Sequence, residues 1–173
     1  MELITAIHLI SGGVAEGTTP QAWAELGAGD GLFTRALSTK LPPKSRVYAF
    51  DRDADSLDQI KVHDGVALDT MHLDFVKQAI DLPPLDGILM ANALHYVKDQ
   101  QVFLERLKKH IKPGGRLVIV EYDTDAGNTW VPYPLSYVSL QKLADSCGLK
   151  QIERMASAPS RYQGSMYSAL IIF

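Results

Sequence analysis

The sequence holds a single cysteine, Cys147, in 173 residues. That excludes an intrachain disulfide and a thiolate metal cluster, and it makes a reducing, cytoplasmic setting the expectation. Runs of Lys and Arg are missing and the formal net charge is −3, so nothing announces the basic footprint of a nucleic-acid binder. No apolar stretch approaches the roughly 20 residues of a membrane-spanning helix, and Glu2 stands where a secretory leader would be basic. There is no repeat, low-complexity tract or linker to divide the chain. The expectation is one domain over residues 1–173, long enough to bury its own core.

What is present is alternation. Short aliphatic runs at 21–26, 46–50, 65–73, 86–91 and 115–120, then at 149–155 and 166–173, read as strands. Helical periods lie between them. Phe33, Leu37 and Leu41 recur every four residues until Pro42 and Pro43 stop the run. Asp99 is placed to cap a helix whose stripe is Phe103, Leu107 and Ile111, with Lys108 and Lys109 at its end and Pro113-Gly114-Gly115 beyond. Ser139 is placed to cap another that buries Leu140, Leu143, Ala144 and Cys147 before Gly148. The opening LITAIHLI reads as one more helix. Strand–helix alternation implies a parallel sheet covered on both faces, with ligands bound beyond the C-terminal strand ends where the strand order reverses.

The residues after each strand therefore matter most. Behind the first comes ELGAGDG, with glycines at 27, 29 and 31. Glycine at that density costs backbone entropy, so something has to approach the main chain closely. A dinucleotide fingerprint, G-x-G-x-x-G, would put its third glycine at position 32, which is Leu32. The spacing here is G-x-G-x-G with an acid, Glu25, two residues upstream. The second run ends at Asp51, about 20 residues past the last glycine, where a carboxylate can accept from both hydroxyls of a ribose. An ordinary helix cap is the other reading of Asp51, although Asp53 suits that task better.

With HLDFVKQAI, LDGILMANALHYV and IKPGGRLVIVEYD following, the chain resembles the class I S-adenosylmethionine-dependent methyltransferases over about residues 21–173. It looks nearest to the small-molecule branch related to quinone-biosynthesis methyltransferases. The resemblance implies an α/β, doubly wound, Rossmann-like fold: a mostly parallel seven-stranded sheet with helices on both faces and the last strand antiparallel. It implies S-adenosyl-L-methionine as cofactor. Gly27, Ala28, Gly29 and Gly31 would lie against its methionine part, and Glu25 would position the turn and the ammonium group. Asp51 would hold the ribose, with Arg52 beside the adenine. Asp74 would receive the adenine amino group while Phe75 packs on the ring, and Asp69 competes for the acidic role. Asn92 and Ala93 would sit beside the cofactor, with His95 and Tyr96 toward the substrate.

Methyl transfer from a sulfonium is an in-line displacement, so the protein chiefly orients the reactants. If the acceptor must lose a proton, His95 is the candidate base, its ordinary pKa of about 6.5 suiting the task; packing without catalysis is the plainer reading. Glu121, Tyr122 and Asp123 follow the fifth strand, where they would orient an acceptor or merely keep a loop polar. Trp130, Tyr133 and Tyr137, stiffened by Pro132 and Pro134, would wall an apolar acceptor, cover a satellite core or meet a second copy in a homodimer. Tyr162 and Tyr167 carry the same alternatives. Asp123, Asp125 and Asn128 superficially suggest a hard cation, but Ala91 and Asn92 occupy the place of the acid used by metal-dependent relatives, so no metal is expected. His8, His63, His72 and His110 have no metal-binding spacing. A nucleic-acid amino-methylase with Asn/Asp-Pro-Pro-Tyr after the fourth strand is disfavoured, since the chain reads Asn92-Ala93-Leu94-His95. The expected acceptor is a small organic molecule. A protein or RNA group presented by a partner, or a cofactor-binding scaffold without turnover, are the alternatives.

Overall fold

A computed structural model describes residues 1–160 and 164–173. Tyr162 lies outside the described residues. The strands are β1 (Ala22–Leu26), β2 (Arg46–Asp51), β3 (Ala67–His72), β4 (Leu85–Ala91), β5 (Ile111–Tyr122), β6 (Gln151–Pro159) and β7 (Ser165–Ile172). They form one sheet in the order β3-β2-β1-β4-β5-β7-β6. Pairing from β3 through β5 is parallel, whereas β7 runs antiparallel to both β5 and β6.

Helices cover both faces because residues along each strand alternate between two cores. On β5, Leu117 and Ile119 join one cluster, and Val118 and Val120 the other. The first cluster is closed by α4 (Gln100–Leu107) and α5 (Tyr137–Ser146), through Phe103, Leu104, Leu140 and Ala144. The second is closed by α1 (Leu3–Ile10) and α2 (Leu32–Ser38), through Ala6, Leu9, Phe33 and Leu37. A short α3 (Ala54–Leu57) follows β2, capped by Asp53, whose side chain accepts from the Asp55 N–H. In the sheet itself Trp23 is fully buried against Gly87 on the neighbouring strand, where a Cβ would stand 2.4 Å from the indole. Gly87 is thus the space that the indole occupies.

Several boundaries differ from expectation, β6 among them, which runs to Pro159 instead of ending at 155. The α5 cap is Ser136, not Ser139: the Ser136 hydroxyl accepts from the Ser139 N–H, and Asp125 holds both the N–H and the hydroxyl of Ser136. The α2 helix stops at Ser38, although Leu41 is buried in the same core. Pro113-Gly114-Gly115 does not separate helix from strand, because β5 already begins at Ile111, which pairs with Leu85 ahead of a bulge. The Gly114 N–H is satisfied by the Phe173 carbonyl.

No helix of the described residues is long and apolar enough to cross a membrane.

Candidate cofactor and acceptor site

The chain leaves β1, builds outward to β2 and β3, and returns to β4 on the other side of β1. Strand order therefore reverses between β1 and β4, where the divergence of successive connections leaves a crevice. A cavity of about 460 Å³ lies there, walled by Gly27, Gly29, Asp51, Arg52, Asp53, Ser56, Phe75, Val76, Ala91, Asn92, Ala93 and Tyr96.

The glycine turn is tied to the end of β2, since the Gly27 and Ala28 N–H groups both donate to the Phe50 carbonyl at 2.8 and 2.9 Å. The Asp51 carboxylate bridges two loops: Oδ2 accepts from the Gly29 N–H at 2.8 Å, and Oδ1 from the Asp53 N–H at 2.9 Å. The three glycines have different tasks. Gly29, at φ +52°, lies on the cavity wall, and a Cβ there would meet no atom of the described residues within 4 Å. Gly31, at φ +81°, is off the wall and leaves room for Ile60, which a Cβ would approach to 2.6 Å. Gly27 serves both ends: it lines the cavity, yet a Cβ would stand 2.8 Å from that of Ala93.

Glu25 and Ala28 stand behind the wall. Ala28 packs with Ala49, Leu57 and Ile60. Glu25 is buried and accepts the hydroxyl proton of Thr34, a partner that sequence reading missed. Burial pushes its carboxyl up to about 8, against the Thr34 hydrogen bond, with the Asp51 charge adding to the rise.

Phe75 is held by α4: its carbonyl accepts from Arg106, and its ring lies 5.8 Å from that of Phe103. Asp74 is not on the wall. Its carboxylate accepts from the Val76 N–H and pairs with Lys77 at 3.1 Å, leaving Val76 on the cavity. Asp69, the competing acid, is committed to Arg46 at the strand edge. Asn92 adopts φ +52° with its N–H on the Val120 carbonyl, and its Oδ1 is buried without a hydrogen-bond partner among the described residues. Open space at Gly29 and an unspent acceptor on Asn92 fit a polar ligand pressed against bare backbone.

Of the described residues expected to face an acceptor, only Tyr96 lines the cavity. His95 and Glu121 are 2% and 1% exposed and face each other: the ring Nδ1 lies 2.7 Å from Glu121 Oε2, and the His95 N–H donates to Oε1 at 3.2 Å. Tyr122 sets its ring 6.0 Å from His95. Trp130 is 79% exposed, on a turn that Asn128 closes by accepting from the Trp130 and Val131 N–H groups. Tyr133 is exposed too, its N–H bonded to the His95 carbonyl. Tyr137 and Tyr167 belong to the core, packed edge to face, with the Tyr167 hydroxyl donating to the Leu135 carbonyl. Asp123 and Asp125 are spent on α5 and Arg154, and no group of three His, Cys, Asp or Glu side chains converges among the described residues. Asp53, Ser56, Val76 and Ala91 are wall residues that sequence reasoning did not assign. Their signal was weak: Ala91 ends β4, Asp53 and Val76 lie in the turns after β2 and β3, and Ser56 is on α3.

The methyltransferase domain family matches residues 24–117, more than half of the chain. No curated protein sequence matches it. Among solved structures, an S-adenosylmethionine-dependent methyltransferase from Aquifex aeolicus is 20% identical, with TM-score 0.63 over 90% of this chain and 84% of that one. The N-methyltransferase NodS from Bradyrhizobium japonicum, solved with S-adenosyl-L-homocysteine, is 16% identical with TM-score 0.68, over 98% of this chain and 84% of its own. An arsenic(III) S-adenosylmethionine methyltransferase from Chlamydomonas reinhardtii is 12% identical with TM-score 0.71; the match covers 92% of this chain and 65% of that enzyme. The chain belongs to the class I S-adenosylmethionine-dependent methyltransferases. It is an enzyme of methyl transfer, with S-adenosyl-L-methionine as its cofactor.

Proposed function

We propose that residues 1–173 form one methyltransferase domain that passes the methyl group to a small organic acceptor. The observation that carries this reading is the position of Tyr96, on the same cavity wall as Gly29, Asp51, Phe75 and Asn92. A wall that sets Phe75, Val76, Ala91 and Ala93 beside convergent polar groups suits a small ligand next to the cofactor. When bound, S-adenosyl-L-methionine supplies an electrophilic methyl carbon on a sulfonium. In this reading Gly27 and Gly29 receive its methionine part, Asp51 accepts from the ribose hydroxyls, and Arg52 and Phe75 flank the adenine. Glu25 and Thr34 support the glycine turn from behind, as Ala28 and Gly31 do by packing. Asn92 Oδ1 takes a donor from the ligand, Ala93 keeps its side of the crevice narrow, and Asp74 shapes the turn that presents Val76. Tyr96 presents an aromatic face, which attracts a cationic centre.

For His95 the geometry favours orientation over proton abstraction, because its ring is enclosed with Glu121 and absent from the cavity wall. Glu121 acts through His95. In this reading Tyr122, Trp130 and Tyr133 face the acceptor, a role supported for the loop of Trp130 and Tyr133 by the bond from the Tyr133 N–H to the His95 carbonyl. Net charge of −3 disfavours a polyanionic acceptor.

The test is a methyl-transfer screen with radiolabelled S-adenosyl-L-methionine against cell extract, split by size before counting. Label in the small-molecule fraction supports the reading. Label only in protein or RNA overturns the small acceptor in favour of a presented group.

A further inference from the structure

Arg52 and Tyr96 meet across the cavity. Arg52 follows β2 and Tyr96 ends the turn after β4, and these two strands flank β1 in the sheet. Two strand spacings separate their origins by about 10 Å, so side chains that touch must reach over the glycine turn at the end of β1. They come within cation–ring range: the Arg52 guanidinium lies 5.8 Å from the centre of the Tyr96 ring. Both residues are exposed and both line the cavity.

The two halves of this contact differ in how they are held. On the Arg52 side only the backbone is fixed, its carbonyl in contact with His72 Nε2 at 3.0 Å. Among the described residues no carboxylate pairs with its guanidinium. The Tyr96 ring, by contrast, rests against the His95 ring with centroids 4.3 Å apart. His95 is gripped twice by Glu121, through ring and backbone, and both are almost wholly buried. The Tyr133 N–H adds a third tie at the His95 carbonyl, and Gln100 Nε2 holds the carbonyl of Tyr133 in turn. A buried imidazole–carboxylate pair contributes little net stability compared with apolar packing, so fixing one geometry is the better account of its presence.

We propose that Glu121 and His95 are positioning residues that hold Tyr96 as the fixed post of a strap, which Arg52 closes over the bound cofactor to slow its escape. The strap rests on the reading of this cavity as the cofactor cleft. Its moving half is a long cationic side chain with no carboxylate partner among the described residues, and its fixed half is an aromatic face, which attracts such a cation without holding it rigidly.

The test measures dissociation of S-adenosyl-L-homocysteine from the full chain by surface plasmon resonance, with the melting temperature followed alongside. Arg52→Ala and Tyr96→Ala each release the ligand about three- to tenfold faster, the range expected of one partly desolvated cation–ring contact. The double variant is no faster than either single one. Tyr96→Phe keeps the ring face and the wild-type rate. Glu121→Gln accelerates release in the wild-type background but adds nothing to Tyr96→Ala, while lowering the melting temperature in both; His95→Gln follows the same pattern. Unchanged release from Arg52→Ala, or rates that simply multiply in the double variant, overturn the strap. A Glu121→Gln effect that persists undiminished beside Tyr96→Ala makes the buried pair purely structural and overturns its positioning role. Failure of the wild-type chain to bind S-adenosyl-L-homocysteine overturns the reading of the cleft itself. Binding with rates indifferent to Arg52 and Tyr96 overturns the strap alone.

Discussion

Thr34 donates its hydroxyl hydrogen to the Glu25 carboxyl inside the protein, with the two residues 0% and 1% exposed. One is on the first strand and the other on the helix behind the glycine turn, so the bond pins that turn from the side opposite the cavity. Burial raises the Glu25 carboxyl from its ordinary 4.5 to about 8. Between these values the unfolded chain has released the proton that the folded chain retains. Stability therefore falls as pH rises from about 4.5 to about 8, by on the order of 1 kcal/mol per pH unit from this group. Glu25→Gln keeps an acceptor for Thr34 and removes the titration. Melting curves from pH 5 to pH 8 should be flatter in the variant, with its gain over wild type greatest at pH 8. Parallel pH profiles would disprove the assignment.

Asp51 is committed to the Gly29 and Asp53 N–H groups even before a ligand is considered. Its replacement thus loosens the glycine loop and removes the acceptor proposed for the ribose. Asp51→Ala should weaken S-adenosyl-L-homocysteine binding about 10- to 100-fold, the loss of one or two charge-assisted hydrogen bonds. Asp51→Asn, which retains one acceptor oxygen, should fall between. Isothermal titration measures both, and NAD serves as the control that should not bind.

The indole of Trp23 occupies the space above Gly87. Gly87→Ala should overpack this contact and destabilise the protein by about 1–3 kcal/mol. Gly114→Ala offers a contrast: among the described residues nothing lies within 4 Å of a Cβ there, so its cost comes from φ +75°. Denaturant unfolding should rank the first substitution as the more harmful.

Capping of α5 separates two serines three residues apart. The Ser136 backbone N–H holds the Asp125 carboxyl below the usual carboxylate range, while the Ser136 hydroxyl caps the helix. Ser136→Ala should cost about 1 kcal/mol. Ser139→Ala should cost less, because its N–H, the capped group, is untouched. Urea midpoints measure the difference.

Trp130, 79% exposed, makes no core. Trp130→Ala should change stability by no more than about 0.5 kcal/mol and leave S-adenosyl-L-homocysteine affinity as it was. Its effect should appear in methyl transfer to the acceptor, as a raised KM with kcat retained.

Much of this molecule is written locally. Aliphatic runs mark the strands, most plainly β4, β5 and β7, because burial on both faces of a sheet demands apolar side chains; the edge strands β3 and β6 stay largely unburied and carry more polar residues. Asp53 and Asp99 cap α3 and α4 as their positions ahead of polar first turns suggest. The glycine spacing and the acid about 20 residues beyond it point to the cavity wall, since both are set by the length of one strand–helix–strand unit. None of these required a partner distant in the chain.

What only the tertiary structure decided depends on contacts between remote segments. Ser136 prevails over Ser139 because Asp125, eleven residues earlier, reaches back to it. Gly31 is a glycine on account of Ile60, not of the ligand. His95 and Glu121, 26 residues apart, read singly as a base and a substrate contact, yet β4 and β5 run side by side and turn them toward each other in the interior. Periodicity and turn chemistry are properties of neighbours along the chain, so the sequence alone determined them. Which polar groups satisfy one another once water is excluded depends on strand order, and that exists only after folding.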